Sequence, residues 1–429
     1  MHLPAPVSTR RRRAAVLAAL GGLVATGLGV APTAAQAGES GDSATSVTYH
    51  GLSVEVPDDW RVVDLAEDPS ACVRFDVPTL YLGSPAGQRD CPAGLVGRDV
   101  GIVLEPLAEV APERLDARTA VAEGAPAAAA ARATSHDGTL QLAVEQAGLL
   151  VTAAHTPATE GEARAVLEGA EITDAARPAA TPAPAETAAR PTAVGPQPGD
   201  YTGLGFDACA APSQAAMDAW GADSPFQAVG VYISGASRAC DQPNLTAAWV
   251  EAQTAAGWHL TPIDVGRQAP CTSYAQRISE DPATARAEGA QAADESIAAA
   301  AALGIPAGSV LYSDIEAYTP GATCTAAVLS YLSGWTEGLH AQGYLSGVYS
   351  SGASGIQDVA AAYDDPNHTR VDHIWFAWWN GQADTDAGSY APAEYWADRQ
   401  RIHQYVGEVT ETHGGVSINI DRNYLDVAP

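Results

Sequence analysis

Asp314 and Glu316 are acids separated by a single residue, and they closely follow the apolar segment 310–312. Alternate residues of a β-strand point to the same side and lie roughly 7 Å apart along it. Two carboxyl groups that share a partly desolvated cleft raise the pKa of one member, which keeps its proton while the other stays ionised. Cleavage of a glycosidic bond requires this division between an acid and a carboxylate. The pair therefore predicts a catalytic site of the glycosidase type.

Further acids stand at or near the ends of other strand-like segments. They are Asp207, Asp264 and Asp421. Because active sites of parallel barrels are built at the carboxyl ends of the strands, these acids are expected to converge with the pair. A lone Asp-x-Glu pair is more often a solvated turn, and the convergence is what favours a site. We assign Asp207 and Asp421 to the catalytic group and Asp264 to substrate binding.

After residue 199 the sequence alternates between strand-like and helix-like segments, which implies parallel strands joined by right-handed crossovers. The strand-like segments span 204–207, 228–233, 259–265, 310–316 and 345–350, and the helix-like segments span 214–220, 245–256, 282–303, 325–342 and 353–363. Three more strand-like segments, 374–379, 401–406 and 417–421, lack helical periodicity between them. The predicted fold is α/β, a TIM-like (β/α) barrel with five β/α units, then three strands and reduced late helices.

Three of these strand-end segments resemble the signature strands of glycoside hydrolase family 25 muramidases. They are Gly205-Phe206-Asp207, Tyr312-Ser313-Asp314-Ile315-Glu316, and His403-Gln404-Tyr405 with Ile418-Asn419-Ile420-Asp421. The run 205–212 resembles more closely a related group of exported glycoside-hydrolase-like proteins of Gram-positive bacteria, long catalogued as a domain of unknown function. Family 25 enzymes usually carry Val-Ser after the first aspartate, whereas this chain has Ala208-Cys209. The resemblance covers residues 200 to 429.

The resemblance implies a role for each matching acid. Glu316 would be the general acid, and Asp314 would assist water or the acetamido group of the substrate. Asp207 and Asp421 would tune both. For the family 25 relatives the implied substrate is peptidoglycan, whereas the closer group implies only glycosidase-like architecture.

Aromatic and amide side chains on the predicted strands provide candidates for sugar binding, because aromatic faces stack on sugar rings. We assign Tyr232, Tyr349, Trp378 and Gln404 to substrate binding. Trp375 and Trp379 lie on the same predicted strand as Trp378. The alternative interpretation, that these aromatic residues pack in the core, stays open for each of them.

The chain has a formal net charge of -29, and its 22 basic residues are all arginine. This charge repels phosphate backbones and anionic lipids, which argues against nucleic-acid and membrane-surface partners.

Six cysteines form an even set, so we expect disulfides. We pair Cys72 with Cys91, and the other four, Cys209, Cys240, Cys271 and Cys324, allow three connectivities. Because close Cys-x-x-Cys spacings and calcium-loop motifs are absent, we expect neither a metal nor a cofactor.

The first 37 residues are typical of an export signal. Arg10 to Arg13 precede an apolar stretch, and Ala35-Gln36-Ala37 forms a small-x-small cleavage site. The pattern suits twin-arginine export, with the general secretory route as the alternative.

We predict a small β-rich or α+β domain of unknown role at 38–172, a Pro/Ala/Thr-rich linker at 173–199 and the barrel at 200–429. No later apolar run suits a membrane anchor, so we expect a monomer that is secreted, extracellular or associated with the cell wall.

Two functions remain open. The first is a secreted glycoside hydrolase that cleaves an amino-sugar polysaccharide such as peptidoglycan by carboxylate acid–base catalysis. The second is an inert barrel that binds cell-wall glycan without cutting it. A close carboxylate pair favours the hydrolase, because binding alone would not require it.

Overall fold

The structure is a computed structural model that describes residues 44–85, 87–94, 96–115, 118–122, 125–173 and 199–429. The predicted export signal and residues 174–198 of the predicted linker lie outside the described residues. Within the described ranges, no helix combines the length and the apolar character needed to cross a membrane.

Residues 44–172 fold mainly as strands. These are β1 (Ala44–Tyr49), β2 (Leu52–Pro57), β3 (Arg61–Asp64), β4 (Thr79–Leu82), β5 (Gly101–Pro106), β6 (Ala120–Ala122), β7 (Thr139–Val144), β8 (Leu149–Ala154) and β9 (Glu171–Ile172). They form a three-stranded sheet in the order β1-β2-β9 and a six-stranded sheet in the order β3-β4-β5-β8-β7-β6. The helices are α1 (Pro126–Ala130), α2 (Glu160–Glu168) and two short 3-10 turns, Leu107–Glu109 and Pro112–Arg114.

Burial patterns explain these strands. β2 alternates strictly, because Leu52, Val54 and Val56 are buried while the residues between them are more exposed, as expected for a strand with one covered face. β8 is apolar or small throughout and buried along its whole length, which is typical of a central strand covered on both faces. We refer to residues 44–173 as the N-terminal region.

The C-terminal part contains a closed barrel of eight strands, as the sequence predicts. The strands are β10 (Tyr201–Asp207), β11 (Ala228–Ser234), β12 (His259–Asp264), β13 (Val310–Asp314), β14 (Leu345–Ser351), β15 (His373–Ala377), β16 (Gln400–His413) and β17 (Val416–Val427). Neighbouring strands are parallel from β10 to β16. The last strand, β17, is antiparallel to both β16 and β10.

Helices follow each of the first five barrel strands. They are α3 (Gln214–Asp223), α4 (Ala247–Ala255), α5 (Pro282–Ala302), α6 (Ala322–Ala341) and α7 (Gln357–Ala361), the last preceded by a π-helical turn, Gly352–Ile356. α3, α4 and α5 are capped by the residues directly before them, Ser213, Thr246 and Asp281. Each of these side chains accepts a hydrogen bond from the backbone N–H three residues later. β16 and β17 run far beyond their predicted ends and form a long hairpin.

The alternation of side chains along the strands decides what lies inside the barrel. One set of alternate residues fills the interior, including Tyr232, Ile263, Tyr312 and Trp375. The other set packs outward against the helices, as Val231 does. A side chain at the carboxyl end of a strand therefore enters the barrel mouth only when its position shares the inward parity.

Three disulfides link the six cysteines. Cys72 is bonded to Cys91 in the N-terminal region, which is the pair expected from the sequence. In the barrel, Cys209 is bonded to Cys240 and Cys271 to Cys324. This is one of the three connectivities that the sequence leaves open.

Candidate active site

Four acids gather at the mouth of the barrel. Asp207 is the last residue of β10, and Asp314 is the last residue of β13, with Glu316 two positions beyond. Asp421 was expected at the end of the eighth strand, but it lies in the middle of β17, directly opposite Asp207. It reaches the mouth because β17 runs antiparallel to the other strands and its hairpin with β16 extends past the barrel.

Asp207 accepts hydrogen bonds from three side chains. Its Oδ2 accepts from Asn423 Nδ2 at 2.7 Å and from Gln404 Nε2 at 3.3 Å, while its Oδ1 accepts from the Tyr232 hydroxyl at 3.4 Å. Gly230, on the neighbouring strand, leaves the space that this carboxylate needs, since a Cβ there would lie 2.7 Å from the Cβ of Asp207. Asp207 is 1% exposed, so these neutral donors replace its water.

Gln404 connects the acids to the aromatic residues of the mouth. Its Nε2 also donates to Asp421 Oδ2 at 3.2 Å, and the other oxygen of Asp421 accepts from the backbone N–H of Glu408 at 2.5 Å. Its Oε1 accepts from the Tyr349 hydroxyl at 2.9 Å and from Trp379 Nε1 at 3.0 Å. A single amide thus fixes two acids and two aromatic side chains.

A buried glutamine holds the backbone between Asp314 and Glu316. Gln268 Nε2 donates to the carbonyl oxygen of Asp314 at 2.8 Å, and its Oε1 accepts from the N–H of Glu316 at 2.8 Å. Asp314 itself is 3% exposed, and its Oδ1 is buried without a hydrogen-bond partner. A buried polar atom without a partner is costly, so this oxygen favours the protonated form of Asp314.

Burial dominates the electrostatics of the four acids. It raises the pKa of Glu316 to about 7, with the charge of Asp207 adding to the effect and a backbone hydrogen bond at Ala317 opposing it. It raises the pKa of Asp421 to about 8, with Asp207 again adding, and that of Asp207 to about 6 against its three hydrogen bonds. Burial, followed by the charges of Glu316 and Asp207, holds the pKa of Asp314 well above its usual range.

These shifts determine what the group can do chemically. Glu316 is the most exposed of the four acids, and a carboxyl group with a pKa near 7 can both give and regain a proton at neutral pH. No arginine is among the causes of the pKa shifts of the four acids. The arrangement is suited to proton donation next to a carboxylate.

Asp264 is not brought into this group. Its Oδ1 accepts hydrogen bonds from Ser234 Oγ at 2.8 Å and from Ser296 Oγ of α5 at 3.2 Å. The inward positions of β12 belong to Ile263 and, just after the strand, Val265. Asp264 has the opposite parity and lies toward α5, so its assignment to substrate binding stays a prediction without a contact in the mouth that supports it.

The tryptophans also separate from one another. β15 ends at Ala377, so Trp378 and Trp379 lie beyond the strand on which they were expected. Trp378 packs edge-on against Tyr390 in an outer apolar cluster. Trp379 is 60% exposed next to Gln404, whereas Trp375 is buried in the barrel interior. Among these three tryptophans, Trp379 is the exposed one beside the acids' shared amide.

Two positioning residues escaped the sequence interpretation. Asn423 accepts a hydrogen bond from Trp375 Nε1 at 2.8 Å and donates to Asp207. Its position two residues after Asp421 on one strand was the available signal, since both then share a face. Gln268 lies in a loop with no periodicity, and no signal in the sequence points to it. In the described ranges, no set of three or more His, Cys, Asp and Glu side chains is arranged to hold a metal ion.

Comparison with known proteins gives a partial sequence match and several distant structural ones. The sequence model described as Rv2525c-like, glycoside hydrolase-like domain, matches residues 218–425. None of the curated proteins matches the chain significantly.

The solved structures that resemble this chain are remote in sequence. An uncharacterized B. stearothermophilus protein is 18% identical, with 52% of this chain and 95% of that chain covered and a TM-score of 0.35. The Mycobacterium tuberculosis Tat-secreted protein Rv2525c is 15% identical, with 52% and 96% covered and a TM-score of 0.37. The Clostridium perfringens spore cortex lytic enzyme SleM is 13% identical, with 52% and 67% covered and a TM-score of 0.34. In sequence, residues 218–425 are similar to a glycoside-hydrolase-like domain, and this range holds Asp314, Glu316 and Asp421 but not Asp207.

Proposed function

We propose that this protein is a secreted glycoside hydrolase that cleaves an amino-sugar glycan, with peptidoglycan as the substrate. The observation that carries the proposal is the position of Glu316: it is the most exposed of four acids gathered at one barrel mouth, and its pKa is about 7. The sequence match to a glycoside-hydrolase-like domain supports the reaction class. In this proposal the barrel has the TIM-like layout of five β/α units followed by three strands.

Glu316 acts as the general acid and protonates the glycosidic oxygen as the bond to the anomeric carbon breaks. Asp314 assists the attacking water or the acetamido group of the substrate. The charge of Glu316 contributes to the raised pKa of Asp314, as expected for two acids that titrate as a coupled pair. Water that attacks the anomeric carbon releases a proton, and that proton restores the acid for the next cycle.

Asp207 and Asp421 tune this pair through charge. Asp207 contributes to the raised pKa of Glu316. Asp207 and Asp421 both accept a hydrogen bond from the amide of Gln404. Tyr232 and Tyr349, first assigned to substrate binding, serve in this proposal to position Asp207 and Gln404 through their hydroxyl groups. Sugar stacking is assigned to the open face of Trp379.

The cellular setting follows from the chain outside the site. Three disulfides and the N-terminal signal pattern support export to an oxidising compartment, by the twin-arginine or the general secretory route. We propose an extracellular or cell-wall-associated monomer with the domain boundaries 38–172, 173–199 and 200–429. Its net charge of -29 is unfavourable for nucleic-acid partners.

A specific observation favours the second candidate, a barrel that binds glycan without cleaving it. Three of the four acids are nearly inaccessible, with Asp207, Asp314 and Asp421 between 1% and 3% exposed. A substrate can reach such groups only if the mouth opens. The binding function predicts retention on cell-wall material that does not depend on Glu316.

The test compares wild-type protein with Glu316→Gln on purified peptidoglycan. New reducing ends, with muropeptides identified by mass spectrometry, are expected from the wild type, and loss of the general acid lowers their rate by roughly 10²–10⁴-fold. Glu251→Gln, on the exposed face of α4, is the matched control and retains full activity. Equal release by Glu316→Gln and wild type contradicts the hydrolase, and so does retention without cleavage by a variant whose barrel mouth is open.

A further inference from the structure

A loop of the N-terminal region covers the barrel mouth. Its described residues are 87–94 and 96–98, and we call them the covering loop. We propose that the covering loop closes the acidic site, so that the folded chain is a latent form and substrate gains access only when the N-terminal region moves off the mouth. This regulation matters for catalysis only if the proposed function holds, whereas the closure itself can be measured without it.

Two residues of the covering loop contact the interior of the mouth. A Cβ on Gly94 would lie 3.2 Å from Asp421 Oδ2. Val96 packs against the cluster of inward side chains that contains Tyr232 and Trp375. A sugar ring inserted between the loop and Asp421 would need a van der Waals contact of about 3.5–4 Å on each of its faces. The gap at Gly94 has no room for both contacts.

Backbone hydrogen bonds attach the N-terminal region to two parts of the barrel. On the segment after β11, the carbonyl oxygen of Ser237 accepts from the N–H of Gly97 at 2.9 Å, and that of Ala239 accepts from Phe75 at 2.7 Å. On β17, the N–H of Asn419 donates to the carbonyl oxygen of Arg89 at 3.0 Å. The loop is therefore held on both sides of the mouth.

An ion pair reinforces the closure. Asp137 of the N-terminal region accepts from Arg238 Nη2 at 2.7 Å and from the N–H of Gly235 at 3.0 Å, and both charged side chains are mostly buried. Arg98 is buried as well and donates to the carbonyl oxygen of Arg238 at 3.3 Å. Removing one partner would leave the other charge poorly solvated, so this pair is a sensitive point of attachment.

Disulfides stiffen both partners of this contact. Cys72–Cys91 ties down the segment that leads into Gly94. Cys209–Cys240 ties the segment after β11 to the end of β10, where Asp207 lies. Besides the apolar contact of Val96, the attachment consists of backbone hydrogen bonds and an ion pair, and polar contacts of this kind are typical of surfaces that can separate. The closure is thus specific in register and still reversible.

The experiment measures access to the acids in the full-length protein. A water-soluble carbodiimide with glycinamide labels accessible carboxyl groups, and peptide mass spectrometry quantifies the label on Asp207, Glu316 and Asp421. Two variants weaken the attachment: Asp137→Ala removes the ion pair, and Val96→Glu places a charge in the apolar contact. Glu337→Gln is the control, because it breaks an exposed ion pair with Arg286 far from the mouth.

We expect the three acids of the wild type to be labelled slowly. Labelling rises at least about tenfold in Asp137→Ala and in Val96→Glu, because each removes attachment that holds the loop down, and stays at the wild-type rate in Glu337→Gln. Circular dichroism spectra confirm that each variant is folded, and Val96→Glu keeps every backbone hydrogen bond of the loop. Wild-type labelling as fast as that of the exposed Glu251, or unchanged labelling in both folded variants, overturns the closure.

Activity separates this inference from the proposed function. If the opened variants are labelled rapidly but release no reducing ends from peptidoglycan, the closure stands and the hydrolase fails. If wild type cleaves peptidoglycan as fast as the opened variants, the hydrolase stands and the latency fails. Faster cleavage by the opened variants supports both.

Discussion

Asn423 Nδ2 lies 2.7 Å from Asp207 Oδ2, the shortest of the hydrogen bonds that this carboxylate accepts. The other end of the same amide accepts from Trp375 Nε1 at 2.8 Å. One side chain therefore connects the tuning acid to the aromatic interior of the barrel. The stability of the mouth should depend on it.

Asn423→Ala leaves both Asp207 and the indole N–H of Trp375 without this partner. Because each buried group loses a hydrogen bond, we expect the free energy of unfolding to fall by about 1–3 kcal/mol. Urea denaturation followed by tryptophan fluorescence measures the change. Asn367→Ala, in an exposed loop, is the control and should stay within about 0.5 kcal/mol of wild type. Equal effects of the two substitutions would contradict the role given to Asn423.

The raised pKa values of Glu316 and Asp421 predict how stability falls as pH rises. Burial raises the pKa of Glu316 to about 7 and that of Asp421 to about 8, above the values of the unfolded chain. A group with a raised pKa stabilises the fold in its protonated form, and this stability is lost as pH rises through the folded pKa. The contribution of these acids to the melting temperature should therefore fall as pH rises from about 4.5 to about 8, between their unfolded and folded pKa values. Asp421→Asn should show a shallower fall, and an equally steep one would contradict the assignment.

Two buried histidines at the opposite end of the barrel predict how stability changes as pH falls below neutrality. Burial lowers the pKa of both His259 and His373 to about 4. A lowered pKa means that stability present above about 6.5 is lost as pH falls toward 4. His259→Phe keeps an aromatic ring against Tyr201 and removes a ring nitrogen that lacks a partner. We expect this variant to lose less stability than wild type between pH 6.5 and 4.5 in thermal melts, and the exposed His136→Phe to lose as much as wild type does.

Gly230 tests whether the space around Asp207 matters. A Cβ at Gly230 would lie 2.7 Å from the Cβ of Asp207 and 3.2 Å from the Trp375 ring. Gly230→Ala should therefore lower the free energy of unfolding by about 1–3 kcal/mol through overpacking, and should reduce glycan cleavage more than Gly161→Ala. A Cβ at Gly161, in α2, meets nothing within 4 Å, so that substitution is the matched control. Denaturation curves and reducing-end assays report the two effects.

Trp379 tests the proposed stacking surface. Since its indole is 60% exposed, Trp379→Ala should leave the melting temperature nearly unchanged. Loss of one stacked ring should weaken binding of a chitooligosaccharide about three- to tenfold, as titration calorimetry would show. If Trp379→Ala binds the oligosaccharide as tightly as wild type does, the sugar-binding surface does not include Trp379.

The sequence predicts a shared direction for the side chains of the carboxylate pair, because that direction depends only on their spacing along the chain. Asp314 and Glu316 are two residues apart, and the strand that precedes them is apolar, so their shared direction follows from the pleat. Asp264 shows the limit of the same argument. Asp264 is near a strand end, which suggests a place in the mouth. Because its neighbour Ile263 points inward, Asp264 points toward α5 instead.

Other features depend on contacts between distant parts of the chain. The reversed direction of β17 is set by pairing with β10 and β16, which a local pattern does not reveal. Trp378 and Trp379 separate because β15 ends at Ala377, and strand ends are the least predictable part of such patterns. The covering loop meets Asp421 across more than 300 residues of sequence, as the hydrogen bond from Asn419 to Arg89 illustrates.

The antiparallel pairing of β17 with β10 also fixes when the site can come into being. Asp207 and Asp421 face each other only when the first and last strands of the barrel meet. Contacts between residues so distant in sequence form late and slowly, because the entropy cost of closing a long loop precedes the favourable contact energy. The six parallel strand pairings can form in order of synthesis, whereas the pairing of β17 with β10, which brings the two acids together, requires the whole barrel sequence. A chain synthesised only as far as β16 therefore carries Asp207, Asp314 and Glu316 but cannot form the complete site.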